Sequence, residues 1–581
     1  MKRKARMIIK PAFCFMLLLL PAILISCTEA ANIKTKNIEQ KNYSTVSAVS
    51  ISGGNATRHA NATWYADIVR EQLGIELQFL HTDGTDMQQL LNALIAGGDL
   101  PDIIVLSNFE EAITVASMGL VLNLDEYKEE LPSIFNNPLM NAAVQFSREV
   151  VSSDKDGLFS IPSNIGIQDS LNFDIQLRWD IYQKIGAPTI YTLEDYLPVL
   201  KQMMDIYPTT EHGKPVWGIS LFNDWDDVAM NLAHWTVTFN YGHDGETVSP
   251  LAETPVDASG KPRSILHDDS YYKRALQFFF DANQMGILDP DSITQNYDTL
   301  YEKYSEGRVL LSPWEWSVFG FNISENTDAE DFKGYASVWA DDFKTMNYPD
   351  LPTGRGWAVS ISANAKDLDA ALKYLDWFYS FEGTDILYNG PQGSLWDVND
   401  DGMRYITDNG WYIIQDDSEM PGGGRLSRAI QALNIFSLSG HTINPATINQ
   451  TLDYRFWDSS TAQASSRLTK DWQNHHDGHM SMLQRGKETG QVIKGHPALH
   501  MMAPLPGDLY SLSIIIGNII RTDSWMMVFA ENQDEFDILW REMQSKAVNS
   551  GINEIINRII TDFEVAVDTA ERFTSLFEES R

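Results

Sequence analysis

Cysteine is scarce in this chain, whose 581 residues contain only Cys14 and Cys27. Cys14 lies within an apolar N-terminal run that has the form of a secretory signal, so Cys27 is the only cysteine expected in the mature protein. That excludes a disulfide within the mature chain. Stability must then come from hydrophobic cores, and a chain of this length is long enough to bury one in each of two domains.

Basic residues are also few, because the chain has 43 Lys and Arg against 79 Asp and Glu, which gives a formal net charge of −36. A field of this sign repels nucleic acid and anionic lipid head groups, and it favours solubility. A strongly anionic ligand would need a local basic pocket. The composition therefore argues against nucleic acid and against a lipid surface as partners.

Several motifs of enzymes and transport machinery are missing. The sequence contains no G-x-S-x-G nucleophile elbow, no H-E-x-x-H zinc motif and no phosphate-binding loop. No apolar run reaches the roughly 20 residues of a comfortable membrane-spanning helix. A glycosidase needs only two facing carboxylates, and 79 acidic residues keep that alternative open although no pair stands out.

The N-terminus has the charge and hydropathy pattern of an export signal. The first ten residues, MKRKARMIIK, carry five basic groups and no acid, and an apolar run from Phe13 to Ile25 follows. The run ends in Leu-Ile-Ser-Cys (24–27), which resembles the lipobox of bacterial lipoproteins. The resemblance implies removal of residues 1–26 and attachment of a lipid to Cys27; a chance cysteine after an ordinary signal is the alternative.

Residues 27–45 are polar and lack apolar periodicity, as expected of a flexible tether. A lipidated Cys27 followed by such a tether predicts a protein anchored to the extracytoplasmic face of the cell membrane by its lipid alone.

From Val46 the sequence alternates short apolar runs with amphipathic helices. Strands are predicted at 46–51, 75–80 and 103–106, with helices at about 61–73 and 87–97 between them. Strand, helix, strand repetition implies right-handed crossovers and a mainly parallel sheet. Helical stripes recur at 272–279, 368–378, 536–543 and 552–559, with Gly551 as a break between the last two. The predicted class is α/β with two lobes.

Four segments resemble the extracellular solute-binding proteins of bacterial carbohydrate ABC transporters, in particular the long oligosaccharide-binding lipoproteins. They are NALIAGGDLPDIIVLS (92–107), LNFDIQLRWDIYQKIGAPTIYTLEDYLPVLKQM (171–203), GILDPDS (286–292) with EGRVLLSPWEWS (306–317), and GRGWAVSISANAKDLDAALKYLDWFYS (354–380). The segment SWMMVFAENQDEFDILWREM (524–543) adds a fifth, less specific match. Together they span nearly all of the expected mature chain in the expected order.

The resemblance implies a type II two-lobe periplasmic-binding-protein fold, in which each lobe is a sheet flanked by helices and the ligand lies in the cleft between them. Lobe I is expected to comprise residues 46–160 and about 362–395, and lobe II residues 165–357 and about 396–581. The chain is expected to cross between lobes near 161–162 and again near 357–361.

The function implied is that of a monomeric, non-enzymatic receptor. It captures an oligosaccharide by lobe closure and delivers it to a separate permease and ATPase. The alternatives are a membrane-tethered glycan-active enzyme, or a binding protein of the same fold for a peptide or another polar solute.

Sugar binding needs aromatic rings for the apolar C–H faces of the sugar and charged or amide groups for its hydroxyls. Trp314, Glu315 and Trp316 combine both, and the segment resembles the one that supplies a stacking tryptophan in maltodextrin-binding relatives. In extended backbone alternate residues point opposite ways, so Trp314 and Trp316 are expected on one face and Glu315 on the other. Burial of both rings in the core is the alternative.

Asp224, Trp225 and Asp226 follow the apolar run 217–222, where open α/β sheets present ligand groups. The two acids also suit the N-terminus of a helix, and both interpretations can hold. Trp235, ten residues after Trp225, is expected to be buried.

The predicted hinge contains Arg355 and Trp357, where Arg355 either donates paired hydrogen bonds to the ligand or clamps the lobes together. A second group of candidates lies in the loop after the first strand and at the start of the next helix, a region expected to face the cleft: Asn55, Arg58, Asn61 and Trp64.

One calcium site is considered, because residues 397–408 match the first half of an EF-hand loop. The candidate ligands are Asp397, Asn399, Asp401 and Asp408. An aspartate at the twelfth position is a weaker ligand than the usual glutamate, and a β-hairpin with Asp-Asp-Gly at its tip is favoured instead. No other cofactor is predicted. His475, His476 and His479 are interpreted as part of a solvated loop, because Gly478 would interrupt a helix that aligned them.

Overall fold

The structure is a computed structural model that describes residues 43–51, 64–80, 87–152, 156–171, 173–415, 418–426, 433, 435–463 and 466–580. The predicted signal, Cys27, most of the tether and the candidates Asn55, Arg58 and Asn61 lie outside these residues. Within the described part, no helix combines the length and the hydropathy needed to cross a membrane.

The strands are short, as expected of sheets inserted between helices. They are β1 (Ser44–Ser50), β2 (Ile75–Phe79), β3 (Ile103–Leu106), β4 (Ile161–Ser163), β5 (Gln176–Arg178), β6 (His243–Asp244), β7 (Ala252–Pro255), β8 (Arg263–Ser264), β9 (Leu311–Ser312), β10 (Tyr335–Ser337), β11 (Thr345–Asn347), β12 (Arg355–Ile361), β13 (Trp396–Val398), β14 (Arg404–Ile406) and β15 (Val492–Lys494).

The α-helices lengthen towards the C-terminus. They are α1 (Trp64–Leu73), α2 (Met87–Gly97), α3 (Phe109–Ser117), α4 (Pro132–Phe135), α5 (Asn141–Val151), α6 (Trp179–Lys184), α7 (Tyr196–Ile206), α8 (Asn231–Thr236), α9 (Tyr271–Gln284), α10 (Tyr297–Ser305), α11 (Ser324–Thr327), α12 (Leu368–Phe378), α13 (Phe381–Asn389), α14 (Asp408–Gln415), α15 (Asp458–Gln463), α16 (Arg467–His475), α17 (Met482–Thr489), α18 (Gly507–Val528), α19 (Gln533–Ser550) and α20 (Ile552–Glu579).

The first lobe is built on a five-stranded sheet in the order β2-β1-β3-β12-β4. Its strand β1 runs parallel to both β2 and β3, with Ala48 opposite Ile103. The parallel part agrees with the predicted strand, helix, strand crossovers, but the sheet is not mainly parallel, because two of its four pairings are antiparallel. β12 joins from much later in the chain and runs antiparallel to β3 and β4. The two segments predicted to cross between lobes therefore pair with each other in this sheet.

The second lobe contains a small sheet, β10-β5-β9, with α6 packed against β5 and β10, and α7 packed against α6. Arg178 ends β5 and is almost fully buried, at 1% side-chain exposure. Its guanidinium bonds to Asp180, donates to the Gly307 carbonyl at 2.9 Å and lies 4.4 Å from the ring centroid of Phe321. A buried charge is tolerated only with this degree of compensation, and the resulting contacts hold β5 against the turn that leads into β9.

The C-terminal helix α20 packs along both lobes. Gly551, at φ +104°, ends α19 in the left-handed region, as its predicted role as a break requires. Further along α20, Glu564 pairs with Lys261 of the second lobe, and Phe573 packs edge-on against Phe146 of α5 in the first lobe at 5.4 Å.

The buried Arg178–Asp180 pair generates a stability prediction. Asp180→Asn leaves the Arg178 charge uncompensated in the interior and should lower the free energy of unfolding by about 3–5 kcal/mol, measured by urea denaturation. The matched control is Asp205→Asn, which breaks the surface pair with Lys201, and the expected loss is under about 1 kcal/mol. Equal losses of unfolding free energy in the two variants would contradict a special contribution of the buried Arg178–Asp180 pair.

Candidate functional site

Four tryptophans from three segments of the second lobe meet in one cluster. Trp314 and Trp316 follow β9 and stack on each other with ring centroids 4.8 Å apart. Trp235, from α8, lies 5.1 Å from Trp314, and Trp225 lies 6.1 Å from Trp316 in a stacked orientation. Tyr297 stacks on Trp225 at 4.3 Å. We refer to Trp225, Trp235, Trp314 and Trp316 as the tryptophan platform.

The platform has a buried layer and an exposed layer. Trp314 and Trp235 are 3% and 7% exposed, whereas Trp316 and Trp225 are 38% and 40% exposed. Trp314 and Trp316 stack on each other, but not through the expected extended backbone, because Glu315 between them is helical (φ −63°, ψ −45°) and Trp316 begins a 3-10 helix. They differ in role, because Trp314 supports and Trp316 faces solvent. The burial predicted for Trp235 is also found. Two rigid indoles are thereby held open to a ligand by two others behind them.

The loop that carries Trp225 is fixed by its two acids. Asp224 accepts a hydrogen bond from the Tyr297 amide at 3.0 Å, and Asp226 accepts from the Asn231 amide at 2.9 Å and the Trp525 indole at 2.6 Å. These contacts support a structural role for Asp224 and Asp226, in which they hold the loop in place rather than bind a ligand. Burial raises the pKa of Asp226 to about 7.

Glu315 lies beside the platform, in a region that we call the cleft. Its side chain is accessible to solvent, yet the protein around it desolvates the carboxyl group and raises its pKa. A group that water reaches but that protein surrounds lies in a concave site. Glu246 has the same combination of exposure and raised pKa, and it accepts the Trp235 indole N–H at 2.9 Å.

The predicted hinge contributes Arg355. A register shift between Arg355 and Ala358 bulges β12, and such bulges redirect side chains. The Arg355 guanidinium lies 4.9 Å from the ring centroids of both Tyr348 and Trp357 and donates to the Tyr348 hydroxyl. Desolvation lowers its pKa. Gly354, at φ +74°, precedes it where a Cβ would meet the Ser163 carbonyl oxygen at 2.6 Å.

The facing wall comes from a segment held against the first lobe. The Tyr454 amide donates to Asn389 at the end of α13, which places Arg455 and Phe456 beside that helix. Arg455 is bonded through Nε to Asp453 at 2.8 Å, and its positive charge acts on Glu315 of the second lobe. Phe456 is partly exposed and stacks on His441 at 3.7 Å. This segment, held by α13, therefore brings a cation and an aromatic ring towards Glu315.

Sequence reasoning missed the charged and aromatic groups that join this site from afar: Glu246, Tyr348, Arg455, Phe456 and His500. No local motif marks them, although the run YRFW (454–457) does combine a cation with aromatic rings. Of the second group of candidates, only Trp64 lies in the described residues. It is 2% exposed and donates its indole N–H to the Arg425 carbonyl, so its contacts are those of a core residue.

The calcium candidates lie on a hairpin, which is the interpretation favoured from the sequence. β13 and β14 pair, and Asn399 accepts the amides of Asp401 and Met403 at 3.0 and 2.9 Å. Asp408 begins α14. Within the described residues, no group of three or more His, Cys, Asp and Glu side chains is placed to hold a metal. His475 is the last residue of α16 rather than part of a loop, and His476 follows the helix. Both pack on Trp179, at 5.1 and 6.1 Å.

A separate surface depression of about 720 Å³ lies on the second lobe, away from the platform. It is lined by Arg263 and Arg274 among others, but Arg263 already pairs with Glu253, and Arg274 with Glu194. Since these guanidiniums are satisfied internally, the cleft is the stronger candidate for ligand binding.

The family model described as bacterial extracellular solute-binding protein matches residues 55–385, more than half of the chain. A search of curated protein sequences gave no significant match.

Solved structures resemble the chain over most of its length. An HMO-binding, ABC-transporter-associated solute-binding protein from Bifidobacterium longum infantis is 15% identical, with a TM-score of 0.58 and coverage of 91% of this chain and 99% of that one. The alginate-binding protein AlgQ2 is 14% identical, with a TM-score of 0.62 and coverage of 90% and 98%. The substrate-binding protein FusA of S. pneumoniae, in complex with kestose, is 14% identical, with a TM-score of 0.59 and coverage of 90% and 99%. These likenesses confirm the two-lobe α/β fold.

The raised pKa of Asp226 predicts a pH dependence of stability. The folded protein keeps this proton up to about pH 7, whereas the unfolded chain releases it near about pH 4. The stabilising contribution is therefore complete below about pH 4 and is lost as pH rises to about 7. Asp226→Asn should flatten the slope of unfolding free energy in that window by up to about 1.4 kcal/mol per pH unit, measured by denaturation at stepped pH. If the slope of unfolding free energy against pH is unchanged in the variant, the raised pKa of Asp226 is contradicted.

Proposed function

Because this chain belongs to the bacterial extracellular solute-binding proteins, we propose that it captures an oligosaccharide between its two lobes outside the cell and delivers it to a separate ABC permease. The platform is the observation that carries the proposal. Stacked, partly exposed indoles offer flat apolar faces that match the C–H faces of pyranose or furanose rings. Several such rings in a row suit a ligand of several sugar units.

The edges of the cleft supply what sugar hydroxyls need. Glu315 and Glu246 are acceptors beside the platform, and Arg355 is a donor at the hinge. Hydrogen bonds from hydroxyls to charged groups are stronger than neutral ones, so they fix the orientation of a ligand that stacking alone leaves free to slide. Closure brings Arg455 and Phe456 towards the same ligand from the facing wall.

Several solved structures with this fold are named for carbohydrate ligands. They include proteins described as binding HMO, alginate, kestose and N-glycans. These names support an oligosaccharide as the class of ligand here, with import completed by a permease and an ATPase encoded as other chains.

The proposed binding surface is tested with the soluble domain and a panel of neutral, acidic and amine-bearing oligosaccharides. Trp316→Ala should weaken binding of the best ligand at least about tenfold, roughly 1.4 kcal/mol, because it removes a stacking face, as measured by calorimetry. The control is Tyr191→Ala, which removes an exposed aromatic residue outside the platform and should leave affinity unchanged.

The same panel distinguishes the receptor from an enzyme. Mass spectrometry of each incubated ligand should recover it intact, because capture involves no bond cleavage. Cleaved or transferred products would show that the protein is a glycan-active enzyme rather than a receptor. Thermal stabilisation by peptides alone would show that its ligand is a peptide rather than an oligosaccharide.

Attachment through Cys27 is proposed to hold this receptor at the membrane, where the tether keeps it close to the permease and raises their effective concentration. Cys27→Ala should abolish lipidation and shift the protein from the membrane fraction to the soluble fraction. Fractionation, together with the mass of the N-terminal peptide, measures the change. Membrane retention of the variant would contradict a lipid anchor at this residue.

A further inference from the structure

The charges inside the cleft are not balanced. Glu246 and Glu315 both lie beside the platform, and among the described residues neither has a Lys, Arg or His nitrogen within 4.0 Å. Asp174 is buried nearby, where it accepts the Trp339 indole N–H at 2.7 Å, and burial together with the Glu315 charge raises its pKa to about 7. Asp174 and Glu246 are held by indole and hydroxyl donors rather than by cations.

Two cations of the cleft act on these acids, Arg455 on Glu315 and Arg355 on Glu246, but among the described residues neither forms an ion pair with them within 4.0 Å. Arg455 is already neutralised by Asp453, with Nε to Oδ2 at 2.8 Å. His500 stacks on Tyr348 at 5.9 Å, and burial with the nearby Arg355 charge lowers its pKa to about 3, so it is neutral at physiological pH. Only Arg355 is left without a carboxylate within 4.0 Å in the described part of the chain, and the charge of Glu246 acts on it.

Glu246 is oriented for a ligand. The Trp235 indole donates to Oε2, and no protein donor in the described residues is bonded to Oε1. Trp235 is itself fixed by its contacts with Trp314 and with Phe173, at 5.1 and 6.5 Å. A free carboxylate oxygen therefore stands at a defined place beside the stacking faces.

Resting on the proposed function, we propose that the cleft selects glycans that carry no negative charge, and that Glu246 and Glu315 determine this specificity. Each carboxylate accepts a hydrogen bond from a ligand hydroxyl or ammonium group. The carboxylate of an acidic sugar at the same place has no proton to donate and is repelled in a poorly hydrated site. The net charge of −36 on the whole chain acts in the same direction.

The test uses three forms of one ligand: the neutral glycan with the largest thermal shift in the panel, its derivative oxidised at the primary hydroxyls to carboxylates, and the corresponding carboxamide. The amide matches the carboxylate in shape and lacks its charge, so the pair isolates electrostatics. We expect the carboxylate form to bind at least about tenfold more weakly than the amide by calorimetry.

Two variants extend the test. Glu246→Gln and Glu315→Gln should each bind the carboxylate form more tightly than the wild-type protein does, while binding the neutral glycan no more tightly. A gain in affinity for one ligand cannot come from misfolding, so this readout separates specificity from a structural role.

Three results would overturn the proposal. The first is that the carboxylate form binds as tightly as the amide form or more tightly. If Arg355→Gln then weakens binding of the carboxylate form, the ligand would be an acidic glycan bound by Arg355. The second is a naturally acidic glycan as the best ligand in the panel; in both of these cases oligosaccharide capture itself would stand. The third is binding of no glycan at all, which would reject the proposed function together with the inference.

Discussion

The stacking of Trp316 on Trp314 at 4.8 Å is the contact on which the proposed binding surface depends. An exposed indole gains little from burial, so its position has to be fixed by neighbours that are themselves immobile. Trp314 meets this condition because it is buried against Trp235 and Phe222, at 5.1 and 6.2 Å. The platform is thus an extension of the core of the second lobe, which opens onto the cleft only at its outer layer.

The same lobe carries two buried cations close to this core. Arg178 holds the end of β5 through Asp180 and Gly307, and Lys303 of α10 bonds to the buried Asp289 at 2.6 Å. Each interaction joins a helix or strand to a neighbouring loop. α10 also begins at Tyr297, whose ring stacks on Trp225. The rigid placement of the stacking faces therefore rests on polar contacts well below the surface.

Across the cleft, the charged groups come from segments that are distant in sequence. Arg355 belongs to β12 of the first-lobe sheet, Arg455 to a segment held by α13, and Glu315 to the second lobe. A movement of one lobe against the other changes the distances between these charges. Lobe closure therefore changes both the ligand contacts and the electrostatic environment of these charged groups.

Much of the fold was predictable, because period and composition act locally. β3 occupies the predicted residues 103–106, β1 and β2 differ from the prediction by one or two residues, and Gly551 separates two helices as expected. Trp314 and Trp316 do stack together, but through helical backbone at Glu315 rather than through the extended alternation that was expected. The sequence by itself thus determined the α/β class, the helices and the aromatic character of the site. Only the tertiary structure decided which indole is buried and which is exposed, and which charges meet the platform. Glu246, Arg355 and Arg455 are far apart along the chain, and their electrostatic environment depends on the protein packed around them, which no local pattern encodes.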